Sequence, residues 1–166
     1  MLPLIDHPHP LDFERLSPHD ASVVLANARA LRRAAQAGAT QPLLRGKNLA
    51  LLCETDDASS ALFRRAAVEL GAHVAQIRPS LSKLSTPKDV ESTARVLGRL
   101  YDALECEGVP AALVQQVRSE AGVPVYDGIG SHDHPTARLA EELDGDGTPA
   151  DKRRYVLQAV LLGTLA

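Results

Sequence analysis

The sequence predicts an α/β domain: three layers, with a central four-stranded parallel sheet flanked by helices and closed by a C-terminal helix. Three observations predict it. Four short apolar runs recur along the chain, at Leu49–Cys53, Ala72–Ile77, Leu100–Leu104 and Val123–Tyr126. Segments with helical apolar periodicity separate them. The 166 residues are enough for one domain with a real core and short for two.

Taken in order, Met1–Phe13 is Pro- and His-rich and reads as an extended tail. His7 and His9 are residue types that bind metals, but a floppy tail is the favoured reading. The first helix starts at Leu16-Ser17-Pro18-His19-Asp20, with Ser17 as N-cap, Pro18 in the first turn and Asp20 near the positive end of the dipole. It continues through Val24, Leu25, Ala28, Leu31 and Ala35 and stops at Gly38. Gln41–Asn48 is a loop into the first strand. A polar turn, Glu54–Ser60, follows that strand, then a helix ending at Gly71. Such a strand–loop–helix unit places a helix N-terminus at the carboxyl end of a parallel strand, where α/β sheets bind anions. Here the loop holds Asp56, Asp57, Ala58, Ser59 and Ser60, without arginine, lysine or glycine. It reads as an anion site without anion chemistry.

After the second strand, Arg78–Lys88 is a Ser/Pro-rich loop with Lys83 and Lys88 as its cations. Asp89–Arg99 is helical, with Val90, Ala94 and Leu97 on one stripe; the third strand is expected at Leu100–Leu104. Pro110–Glu120 is a helix, Val123–Tyr126 the fourth strand, Ile129–Pro135 a loop and Thr136–Leu143 a short helix. DGDGTPAD at Asp144–Asp151 is a linker by composition, and Lys152–Leu165 an amphipathic helix. No internal repeat interrupts this order.

Composition narrows the classes. Eighteen basic against 21 acidic residues, net −3, argue against a general nucleic-acid binder, which needs a basic face. Aromatics are 3 % with no Trp, so the core must be built from Leu, Val and Ala. Cys53 and Cys106 lie in or beside apolar runs and read as buried thiols of a reduced cytoplasm. The N-terminus has neither a basic n-region nor a long apolar h-region, and the longest apolar run is too short to span a bilayer. A cytoplasmic protein without cofactor, metal or membrane partner is expected.

Particular stretches carry a family resemblance. Pro79–Leu104, with its core ESTARVLGRLYDAL, resembles the carbamoyl-phosphate-binding domain of ornithine and aspartate carbamoyltransferases, the ornithine enzyme more closely. Leu44-Arg-Gly-Lys-Asn-Leu-Ala-Leu-Leu, VPVYDG at Val123–Gly128 and His134-Pro135-Thr136 extend the likeness over nearly all of Leu11–Leu143. DKRRYVLQAVLLGTLA at Asp151–Ala166 resembles the last helix of those enzymes, which returns from their second domain to pack on the first. The resemblance therefore implies a carbamoyl-phosphate-binding-like domain over residues 1–143. Residues 144–151 would be a linker in place of the amino-acid-binding domain, and residues 152–166 a helix packing back on the same domain. Its stripe of Val156, Val160 and Leu161 needs that domain for burial.

The chain departs from the family at each catalytic signature. The family's phosphate loop reads Ser-Thr-Arg-Thr-Arg; counted back from Leu70–Val74, the matching stretch is Asp56–Ser60, with Ala58 and Ser60 at the arginine positions. Glu107 stands where the family has an arginine after the third strand. The His-Pro-x-Gln motif keeps His134 and Pro135 but has Ala137 for glutamine. Ser80 and Lys83 match the loop that the family shares with a neighbouring subunit, and Arg95 reads as structural. Charge-assisted hydrogen bonds contribute ~1.5–3 kcal/mol each, so the absence of three arginines costs ~5–9 kcal/mol, roughly 10⁴–10⁶ in affinity. Asp56, Asp57 and Glu107 add repulsion against a phosphate.

Each candidate has a plainer reading. Asp56-Asp57 as a cation site yields to helix capping. His134, without a phosphate clamp, reads as a relic that holds its loop. His132-Asp133-His134 has metal-ligand residue types but no third ligand in view. Lys83 is an exposed loop lysine unless a neighbouring subunit recruits it. Three functions follow. The first is a non-catalytic carbamoyltransferase paralogue, acting as a homo-oligomer (a trimer by resemblance) or by association with a full-length carbamoyltransferase. The second is a binding module for another small ligand. The third is residual or partner-completed ornithine or aspartate carbamoyltransferase activity. The first is favoured.

Overall fold

A computed structural model describes residues 14–78 and 86–166. Its elements are α1 (Pro18–Gln36), β1 (Asn48–Cys53), α2 (Ala58–Glu69), β2 (His73–Ile77), α3 (Pro87–Leu100), β3 (Ala103–Glu107), α4 (Ala111–Ala121), β4 (Val125–Asp127), a 3₁₀ helix (Pro135–Glu142) and α5 (Pro149–Leu165). The four strands form one sheet in the order β2-β1-β3-β4, and every neighbouring pair is parallel. The fold is thus the α/β arrangement that the alternating runs predict.

Helices cover both faces, which is why β1 reads as a continuous apolar run rather than an alternating one. Successive side chains point to opposite faces. Leu49, Leu51 and Cys53 join a core with α1, α2, the 3₁₀ helix and α5, while Ala50 and Leu52 join a second core with α3 and α4. The scarcity of aromatics leaves Phe63 and Tyr126 as the large rings among mostly aliphatic core residues. Cys53 and Cys106 are free and buried. Burial pushes the Cys106 thiol up to about 12, which leaves it unreactive.

Four expected boundaries need correction. The third strand, expected at Leu100–Leu104, runs over Ala103–Glu107. Leu100 instead ends α3 and is 62 % exposed, and Asp102 closes the turn by accepting a hydrogen bond from the Asn48 backbone N–H at 2.8 Å. Hydropathy places the strand too early because two carboxylates, Glu105 and Glu107, lie inside it, both buried. The loop expected through Lys88 ends sooner, because Thr86 caps α3 through the Asp89 N–H and Pro87 opens the helix. The linker expected through Asp151 is likewise shortened: Thr148 caps α5 through the Asp151 N–H and Pro149 opens it. The short helix expected at Thr136–Leu143 is a 3₁₀ helix that starts at Pro135, capped by His134.

α5 packs against α1, α2 and the 3₁₀ helix. Val156, Val160 and Leu161 are buried, and so are Leu157 and Ala159, so burial extends beyond one stripe. Arg154 is also buried, between Glu69 at 2.9 Å and Asp151 at 2.5 Å, and Gln158 donates to the Ala66 carbonyl. On the opposite face α3 and α4 meet closely: a Cβ added at Gly98 would lie 1.7 Å from the Ala121 carbonyl oxygen.

Candidate functional site

The site predicted from sequence lies at the carboxyl ends of β1 and β3, against the first turn of α2. Asp57 is the N-cap of α2, and its Oδ1 accepts from the Ser60 backbone N–H at 2.8 Å. That bond holds the Asp57 carboxyl below the usual range. Asp56 projects to solvent and pairs with Arg64 at 3.5 Å. Ala58 and Ser59 open the helix, and Ser60 is fully buried. The positive end of α2 is therefore already engaged by a carboxylate of the chain itself.

Glu107 completes the arrangement from β3. Its Oε1 accepts from the Gly130 N–H at 3.1 Å, while Glu105, fully buried one pleat earlier, accepts from Gly128 N–H at 2.9 Å and Ile129 N–H at 3.3 Å. The loop after β4 is gathered onto β3 by these two side chains. Gly130 is pressed between elements. A Cβ there would lie 2.3 Å from the Ser59 carbonyl oxygen and 2.7 Å from Glu107 Oε1. Its own carbonyl accepts from the Arg153 guanidinium of α5 at 2.8 Å.

The electrostatics follow from that packing. Burial pushes the Glu107 carboxyl up to about 7, and the Asp57 charge adds to the rise, against the Gly130 N–H and Arg153. Burial, then the neighbouring Glu107, holds Glu105 well above the carboxylate range. Desolvation lowers the affinity of Arg153 for its proton, with Glu107 opposing. Burial likewise lowers His134; Arg153 acts in the same direction and Glu14 against it, so the ring is neutral near pH 7. His134 Nδ1 accepts from the Thr136 N–H at 3.2 Å, which places the ring proton on Nε2. Nε2 is buried and has no hydrogen-bond partner.

The structure thus brings Asp57, Ser60 and Glu107 around one helix end, with Arg153 within electrostatic reach of both Glu107 and His134. Ala137 lines a cleft between the 3₁₀ helix and α5, whose wall also includes Arg153. Lys83, like Ser80, His7 and His9, falls outside the described residues. His132 and Asp133 pair with each other at 3.2 Å on the surface, and no cluster of three or more metal-binding side chains exists among the described residues. Sequence reasoning missed Glu105, Gly130 and Arg153. The likeness of Asp151–Ala166 to a domain-closing helix was the one signal that could have pointed to Arg153.

A phosphate bound at the carboxyl edge of such a sheet needs free N–H donors and cations. Here the Ser60 N–H of the α2 end and the N–H groups of the 128–130 loop already donate to carboxylates, and the Arg153 guanidinium donates to the Gly130 carbonyl. Comparisons with known proteins identify the frame on which this happens. Residues 8–144 match the family described as aspartate/ornithine carbamoyltransferase, carbamoyl-P binding domain. The chain belongs to that family. Among its relatives, the ornithine carbamoyltransferase of Actinobacillus pleuropneumoniae (serotype 5b) is 39 % identical over 136 residues, covering 81 % of this chain and 41 % of the relative. The catabolic ornithine carbamoyltransferase of Burkholderia mallei is 42 % identical over 117 residues, covering 70 % of this chain and 35 % of the relative. The solved ornithine carbamoyltransferase of Pyrococcus furiosus superposes with a TM-score of 0.65 at 26 % identity, covering 75 % of this chain and 40 % of that one. The chain spans about two-fifths of the length of such relatives, the part that carries the carbamoyl-phosphate domain.

Proposed function

We propose that this protein is a non-catalytic carbamoyltransferase-like domain that acts by associating with itself or with a full-length carbamoyltransferase. One observation carries the reading. Where the family resemblance implies two loop arginines and a third after β3, this chain has Ala58, Ser60 and Glu107, and Glu107 is tied to Gly130 against the first turn of α2. The chain supplies its own anion. A carbamoyl phosphate would have to displace the Gly130 loop and face Asp57 and Glu107 without the arginines. Without those three cations its affinity falls by roughly 10⁴–10⁶.

In the same reading, residues 14–143 keep the scaffold, residues 144–148 bridge the place of a second domain, and α5 closes the core. Ser80 and Lys83 would then be the residues offered to a neighbouring copy. The test is thermal unfolding with fresh carbamoyl phosphate, alongside light scattering of the protein alone and mixed with an ornithine carbamoyltransferase. A ligand at ~100 times its dissociation constant stabilises by ~2.7 kcal/mol, a readily visible shift. The expected result is no carbamoyl-phosphate shift at millimolar concentration, together with an oligomer or a mixed complex. A specific shift with carbamoylated product would return the protein to the enzymes, and a monomer that ignores the partner would remove the association.

A further inference from the structure

We propose that the cleft between the second half of α1 and α5 is a binding site for a small uncharged carboxamide, one whose head group both donates and accepts hydrogen bonds. The cleft encloses about 490 Å³, within the range of small-molecule pockets. It lies at the opposite edge of the sheet from the α2 end described above. Glu69, the last residue of α2, and Thr40 and Gln41, in the segment that leads into β1, border it. Its shape follows from residue size. Ala30, Ala34 and Ala35 line the α1 wall, and their short side chains leave open a gap that bulkier ones would fill. Tyr155 lines the α5 side, with the guanidinium carbon of Arg154 4.9 Å from its ring centroid, a contact that steadies the ring.

The polar groups of the lining select the ligand. Its two charged side chains, Glu69 and Arg154, pair with each other at 2.9 Å. Their further partners are Arg65 at 3.0 Å from Glu69 and Asp151 at 2.5 Å from Arg154. No charge in the lining is left over for an ion, and burying an unpaired charge costs far more than burying a neutral group. Gln158 is the independent sign of a ligand. It is only 4 % exposed, and its amide nitrogen donates to the Ala66 carbonyl at 3.2 Å and to Glu69 at 3.1 Å. Its amide oxygen accepts from no described residue. An acceptor on a side chain so deeply buried, in the wall of a cleft, calls for a donor. The backbone N–H groups of Thr40 and Gln41 likewise donate to no described residue. A carboxamide answers both needs, with its N–H toward Gln158 and its carbonyl toward that segment. Its apolar body then covers the alanines and Tyr155.

The cleft shares no residue with the α2 end, so the inference stands or falls apart from the non-catalytic reading. The probe is benzamide, titrated into the isotope-labelled full chain and followed by amide NMR. Benzoate, its charged counterpart, is titrated at matched ionic strength. Two variants plug the cleft from different segments, A34L from α1 and A39L from the turn after it, and A26L on the exposed face of α1 is the control. None of the three alanines is buried, so the variants should fold as the wild type does. The expected result is a saturable benzamide shift at the Ala34 and Thr40 amides and at the Gln158 side-chain amide, retained in A26L. Each plug should weaken binding by roughly tenfold or more, the scale on which a pocket discriminates a single methylene. Benzoate should bind at least about tenfold more weakly, because its charge finds no partner. The absence of a saturable shift at these positions, or a shift unchanged in both A34L and A39L, overturns the site. Benzoate binding as well as benzamide overturns the assignment to an uncharged ligand.

Discussion

Gly130 is a residue whose lack of a side chain decides what the surrounding groups can do. Its φ needs no glycine, so the requirement is one of space. G130A should force the loop off Ser59 and Glu107 and destabilise the protein by ~1–3 kcal/mol, read as a lower urea midpoint. Glu107 offers a test with a defined sign. Its folded-state carboxyl lies near 7, above the ordinary value of 4.5, so the folded state holds its proton more tightly than the unfolded chain. Its contribution is fully present at low pH and is lost as pH rises from about 4.5 through 7. E107Q should therefore flatten the stability profile between pH 5 and 8, and at pH 8 should be more stable than wild type. A wild-type slope retained in E107Q would mean that Glu105 alone carries the titration. Asp57 behaves oppositely, because its carboxyl is held low: its contribution is present above the ordinary value of 3.8 and fades as the medium becomes more acid. D57A should cost about 1 kcal/mol near neutrality through the missing cap.

At the scale of elements, the helix starts show which signals are legible. Ser17-Pro18 reads from sequence as a cap followed by a first-turn proline, and the structure has it so. The same chemistry recurs at Thr86-Pro87 and Thr148-Pro149, where surrounding Ser, Pro and Gly residues make the segments look like loop or linker. The third strand escapes for a different reason. Burial of a carboxylate in a strand depends on the N–H groups of a loop twenty-odd residues away, and no local pattern announces them. The α3–α4 packing is another non-local demand. G98A would place a methyl against the Ala121 carbonyl, and with backbone on both sides the helices must separate. A loss of ~3 kcal/mol or more is expected in denaturant unfolding. A change below ~1 kcal/mol would mean that the two helices slide past one another at little cost.

The whole molecule depends on α5. Val156, Leu157, Val160 and Leu161 are each no more than 2 % exposed. Burying a large aliphatic side chain contributes ~1.5–3 kcal/mol, so these four account for ~6–12 kcal/mol, comparable to the entire stability of an ordinary domain. A chain ending before Thr148 should therefore lose cooperative unfolding and aggregate, as circular dichroism and light scattering would show. A soluble truncated domain with a sharp transition would mean that the apolar face left by α5 finds another cover. No helix among the described residues is long and apolar enough to cross a membrane.

By itself the sequence determined the α/β class, the order of strands and helices, and the family. These are properties of local pattern and residue identity, and they survive without coordinates. The tertiary structure alone decided what surrounds Ser60 and Glu107. It buried Glu105 and Glu107, turned the 128–130 loop onto the α2 end, and brought Arg153 from the last helix to the Gly130 carbonyl. Residues 107, 130 and 153 are distant along the chain. Their meeting depends on parallel strands and on a helix returning over the sheet, and the energy of a buried charge depends on its neighbours in space rather than in sequence.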